Sequence, residues 1–149
     1  MYSGLLHAHS GLRWFVLVAL IGAIYQLVAF RKSGKSFSQT KSLGILALAL
    51  THVQVFLGLA MYFMSPWYKL FKEEGAAIFK NSVQRFYVLE HPVMMILAAV
   101  FITIGYSKSK RMNDDSKAFG QRITWYVVGL ILILAAIPWP FRFGNAGWF

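Results

Sequence analysis

Leu5–Phe30, LLHAHSGLRWFVLVALIGAIYQLVAF, is an apolar run that carries His7, His9 and Arg13 in its opening turns. Twenty apolar residues are enough to cross a bilayer as a helix, so this run predicts a membrane span. Ionisable groups inside such a span are costly, and each is therefore a candidate for function. His9 and Arg13 are four positions apart and share a helical face, whereas His7 points elsewhere.

The rest of the chain repeats the pattern. It has 149 residues, 58% of them hydrophobic and 13% charged, with a mean hydropathy of +0.55. Further apolar runs cover 42–64, closed by Ser65-Pro66, then 89–106 and 123–137. The expectation is an all-α, integral membrane four-helix bundle forming a single membrane domain over 1–149. Only helices and closed barrels satisfy every backbone hydrogen bond in lipid. The first run is not a signal peptide, which needs a basic start and a short apolar core; here no Lys or Arg precedes Arg13. It reads as a retained span.

The chain has no cysteine, which removes disulfides, thiolate metal sites and iron–sulfur clusters. Its net charge of +10 sits between apolar runs, the pattern of cytoplasmic membrane loops rather than of a nucleic-acid surface. Arg31, Lys32, Lys35 and Lys41 separate spans one and two. Lys108, Lys110, Arg111, Lys117 and Arg122 separate spans three and four, beside Asp114 and Asp115. The central segment mixes Lys69, Lys72, Lys80 and Arg85 with Glu73, Glu74 and Glu90. The balance places both termini and the central loop on the non-cytoplasmic side, with Trp67, Tyr68, Trp139 and Trp148 as an outer aromatic belt. The implied location is a cell membrane, multi-pass, most simply a bacterial inner membrane. The central stretch from Trp67 to Leu89 is apolar enough to lie on the membrane surface. Either Asn81 or Ser82 caps an early start of helix three and Pro92 kinks it, or Pro92 occupies the first helical position.

The four histidines are His7, His9, His52 and His91. At about 1.5 Å per residue, His91 lies roughly 24 Å from the cytoplasmic end of its helix and His9 roughly 31 Å from the end of its own. Two imidazoles at matched depth on facing helices are what a b-type heme needs, with axial ligation from opposite faces of the ring. The expected metal ligands are therefore His9 and His91, with His7 and His52 as substitutes. Arg13, and Arg142 after helix four, are the candidates for pairing with the propionates. Met94 and Met95 can line the pocket or serve as an axial ligand, and Gly11 and Ala98 are small enough to let a porphyrin edge approach. The plainer alternatives are that His52 hydrogen-bonds a neighbouring helix, that His7 is interfacial, and that Arg13 snorkels to the headgroups. A copper site built from His7, His9, His91, Met94 and Met95 is a further alternative.

The stretches His9 through Tyr25, Gln54-Val55-Phe56-Leu57-Gly58 and His91 through Tyr106 together resemble one four-helix half of the heme A synthase family. There, a His-bearing helix is followed by one with a Gln and a Leu-Gly step, and then by a second His-bearing helix. The resemblance implies heme b bound by His9 and His91 on the outer side of the bundle. The family has eight spans and a Glu three or four residues before its first His, which an Arg follows directly. Here Leu5 and Leu6 stand at the Glu positions and Ser10 follows His9, so the synthase activity is not carried over. Small four-span membrane b-type cytochromes are closer in size. The expected role is electron transfer to or from a quinone or a respiratory or assembly partner, within the lipid bilayer. The alternatives are a structural or assembly subunit of a larger membrane complex, or a copper-handling membrane protein.

Overall fold

A computed structural model of the chain describes residues 2–143; Trp148 lies outside the described residues. Within that range four helices are long and apolar enough to cross a membrane: Tyr2–Lys32, Phe37–Met64, Ser82–Ser109 and Asp115–Ala136. They are called the first to fourth spans below. The described residues contain no strand. The large apolar side chains on the outer surface, among them Phe15, Val18, Tyr25 and Phe56, suit lipid contact.

Local chemistry sets the ends. The first span stops where Gly34 adopts a φ of 68°, and Lys35 N–H turns back to the Phe30 carbonyl at 3.0 Å. This is the left-handed closure that glycine allows most cheaply. The second span proper, Lys41–Met64, is led in by a 3₁₀ turn at Phe37–Thr40. Asp114 caps the fourth span, its Oδ1 accepting from Lys117 N–H at 2.9 Å. The central segment is not a loose loop. It forms a helix over Pro66–Glu74, capped by Ser65, and a 3₁₀ stretch over Gly75–Lys80. Asn81 Oδ1 then accepts from Val83 and Gln84 N–H, so the third span starts early.

Pro92 therefore falls inside that helix and not at its start. A proline has no N–H to give the carbonyl four residues back, which here is Val88. The backbone relaxes into a π turn over Phe86–Glu90, with His91 N–H reaching the Phe86 carbonyl. The Tyr62 hydroxyl from the second span donates to the freed Val88 carbonyl at 3.1 Å. The other three prolines behave alike. Tyr62 O, four before Pro66, accepts from Ser65 Oγ at 2.7 Å. Leu134 O, four before Pro138, accepts from Trp139 Nε1 at 3.0 Å. Ala136 O, four before Pro140, is taken by the His91 ring.

Packing is uneven along the bundle. The half that holds the first and third connections is solid: Leu20, Ala23, Leu27, Ala47, Ile102 and Tyr126 are essentially inaccessible. The third and fourth spans touch through small residues, since a Cβ on Gly129 would lie 2.5 Å from Ile102 and one on Gly105 2.6 Å from Trp125. Gly129 therefore packs within the bundle, and Gly22 faces Leu43.

Arg122, counted in the sequence as a loop cation, is only 2% exposed within the fourth span. Its Nε donates to Ser109 Oγ at 2.8 Å and its Nη1 to Thr40 Oγ1 at 3.4 Å. Its guanidinium lies 4.3 Å from the Phe37 ring centre and 4.7 Å from that of Tyr106. Nearby, Asp115 Oδ2 accepts from Phe37 N–H at 2.9 Å and the Tyr126 hydroxyl donates to the Gly44 carbonyl. This polar knot closes one end of the bundle. The other end is hollow.

Candidate functional site

The hollow is a cavity of about 420 Å³ reached by all four spans, within the roughly 300–1,000 Å³ usual for ligand sites. Its first wall is the face Tyr2, Leu6, His9, Arg13, Val16, spaced four and three apart as one side of a helix demands. Its second wall is Thr51, Gln54, Val55 and Gly58 on the facing span, at the same periodicity. His91, Pro92 and Met95 enter from the third span, and Ile133 from the fourth, with Ile137 just past its end.

His9 and His91 face each other across this space, with ring centroids 6.3 Å apart and planes at 76°. Their surroundings differ. His91 Nδ1 lies 2.7 Å from the Ala136 carbonyl, which can only accept; Nδ1 therefore carries the proton and Nε2 the lone pair. The His91 ring also rests against Phe86, 5.8 Å between centroids. His9 is seated against the second span instead. A Cβ at Gly58 would be 2.9 Å from His9 Cε1, so glycine is what lets the ring lie there. Gln54 Nε2 donates to the His9 main-chain carbonyl at 2.8 Å. The His9 ring approaches the Gln54 backbone, but its buried Nδ1 makes no aligned hydrogen bond, and neither does Gln54 Oε1.

The remaining sequence candidates fall into two groups. Arg13 is 9% exposed, lines the cavity one turn deeper than His9, and has its guanidinium 5.3 Å from the Trp14 ring centre. Met95 lines the cavity; Met94 does not. His7 is exposed and lies off the cavity. His52 faces outward, with Nδ1 2.8 Å from the Leu48 carbonyl and Nε2 3.3 Å from Thr103 Oγ1, bridging the second and third spans. Arg142 donates to the Ala135 carbonyl and covers Phe86 at 4.6 Å without lining the cavity. Gly11 has nothing near its Cβ position, and Ala98 is packed beneath Gly129; neither borders the cavity. The described residues hold no group of three or more His, Cys, Asp or Glu placed to share a metal ion.

Gln54, Gly58 and Tyr62 are the site residues that residue-by-residue reading missed. Gln54 carried a signal, as an amide in mid-span is costly unless used, and Gly58 follows it at i+4. Comparison with known protein families, with curated proteins and with solved structures finds no match. The residues themselves define the class: an all-helical, multi-pass membrane chain with two histidines converging in one cavity.

Proposed function

We propose that the chain is a membrane b-type cytochrome that holds one heme between His9 and His91 and transfers single electrons. The observation that carries this reading is the facing pair of imidazoles, one already oriented by a backbone acceptor. Metal–imidazole bonds of about 2 Å, with each ring centre roughly 1.2 Å behind its nitrogen, would sum to about 6.4 Å across a shared metal. The observed centroid separation is 6.3 Å. A ligating histidine characteristically donates its other N–H to a carbonyl, as His91 does to Ala136.

Heme, when bound, supplies a reversible one-electron couple. The chain supplies the rest. His91 Nε2 presents a lone pair in a fixed direction, and Gly58 leaves the His9 ring room to face it. Arg13 brings a cation into a mostly apolar lining, suited to a propionate, and Met95, Val16 and Ile133 supply apolar wall. The resemblance to half of a heme A synthase points the same way, and two of its pieces, Gln54 and Gly58, touch His9. The charge distribution favours both termini on the non-cytoplasmic side of a bacterial inner membrane. A quinone or a respiratory partner would then exchange electrons at the outer face.

Absorption spectroscopy of the purified full chain tests the reading. The expected protein is red, with a sharp Soret band and low-spin features that shift on dithionite reduction. His9→Ala and His91→Ala should each abolish the low-spin spectrum. Colourless protein that carries copper would instead favour a copper-handling role. Colourless, metal-free protein that travels with a larger complex would favour a structural or assembly subunit.

A further inference from the structure

Resting on the heme reading, we propose that the two histidines are unequal: His91 is the fixed ligand, and His9 is an exchangeable one whose released ring is received by the Gln54 side chain. The fixed role follows from three restraints on His91. Its Nδ1 is bonded to the Ala136 carbonyl at 2.7 Å, its ring rests on Phe86, and its turn is tied to the second span through Tyr62 and Val88. None of the three needs a metal to persist.

His9 shares only the last kind of restraint: its main-chain carbonyl accepts from Gln54 Nε2 at 2.8 Å, which ties its turn to the second span. Its Nδ1 is buried without an aligned partner, and the surface behind its ring is a glycine. An imidazole whose outer N–H is bonded is held in orientation and made more basic; one without that bond is oriented by packing alone. Gln54 is 8% exposed and is anchored through Nε2 on the His9 main chain, yet its Oε1 is buried with nothing to accept from. A ring nitrogen with only the unaligned Gln54 backbone beside it and an acceptor with no donor, both on the same cavity, carry a standing free-energy cost that a bond between them would lower. A bond between them requires the His9 ring to turn within the cavity that both residues line. The chemistry this opens is binding of a small neutral diatomic molecule on the side that His9 vacates.

Carbon monoxide is the probe. Detergent-solubilised, heme-loaded full chain is reduced and mixed with increasing carbon monoxide. The expected wild-type result is a complex whose rate of formation levels off with concentration, because release of His9 limits it. Gln54→Leu should slow uptake about 2- to 10-fold, the worth of one net hydrogen bond. His9→Ala should keep its heme and take up carbon monoxide without levelling off, whereas His91→Ala should lose heme at least about tenfold faster to a scavenging apoglobin. Loaded, low-spin wild type that refuses carbon monoxide overturns the inference while leaving the cytochrome reading intact. Unchanged uptake in Gln54→Leu, or heme loss from His9→Ala as fast as from His91→Ala, overturns it as well. Wild type without heme sinks both. Helical circular dichroism identifies any variant that has failed to fold, and the wild-type and Gln54→Leu measurements decide the matter without His91→Ala.

Discussion

Gly58→Ala should separate ligation from folding more cleanly than any histidine substitution. The added methyl would sit 2.9 Å from His9 Cε1, about 0.5 Å inside ordinary contact, and 3.4 Å from Nδ1. The ring must therefore move by about that amount. Forcing one methyl into a packed site costs about 1–3 kcal/mol; here the low end applies, because the neighbour is a side chain with a cavity beyond it. Replacing a helical glycine by alanine returns about 0.8–1 kcal/mol. The two nearly cancel, so the melting temperature of the heme-free protein should move by only a few degrees. On the cytochrome reading, however, a metal–imidazole bond of about 2 Å would not accommodate a displacement of a quarter of its length. The low-spin spectrum should give way to a mixture with high-spin heme, measured by absorption and electron paramagnetic resonance. Gly22→Ala is the matched control, since its Cβ would meet only Leu43 at 3.7 Å. A Gly58→Ala protein with wild-type low-spin signal and unchanged ligand exchange would refute the argument that this glycine seats the ring.

Three other substitutions probe the surroundings. Arg122→Ala should destabilise the chain by about 2–4 kcal/mol, by removing two hydrogen bonds and leaving a void between Phe37 and Tyr106. Chemical denaturation measures that, and the heme spectrum of the folded protein should not change. Tyr62→Phe strips the Val88 carbonyl of its donor, at about 1–3 kcal/mol, and should speed amide exchange across residues 86–91. His52→Ala should leave the heme spectrum as it is and cost about 0.6 kcal/mol, typical of one interhelical hydrogen bond in a membrane.

The four spans were legible because hydropathy and length are properties of each run alone. A meeting of His9 and His91 was expected from the constant helical rise, and their rings lie 6.3 Å apart. Three things were not. Periodicity shows that His9, Arg13 and Val16 share a face, but not that the face meets Thr51, Gln54 and Gly58. Gly11 and Ala98 were therefore expected at the cavity, where Gly58 stands. Arg122 read as a loop charge because net charge is counted by segment, whereas its burial depends on Ser109, Thr40 and two rings from distant parts of the chain. Finally, the clue to the His91 turn lay in the prolines. Pro92 and Pro140 each withhold an N–H, and the carbonyls they free are the ones that Tyr62 and His91 take up. That arithmetic of i−4 is available from sequence, but which side chain answers it is a tertiary fact.

The uneven filling of the bundle bears on how the protein is made. Its knotted end, held by Arg122, Asp115 and Tyr126, draws nothing from the hollow end. On the cytochrome reading, insertion and assembly can thus be completed before heme is bound. Cells starved of iron should still accumulate the chain at normal abundance, ready to be charged when supply resumes, whereas damage to the knotted end should send it to the proteases with or without its cargo.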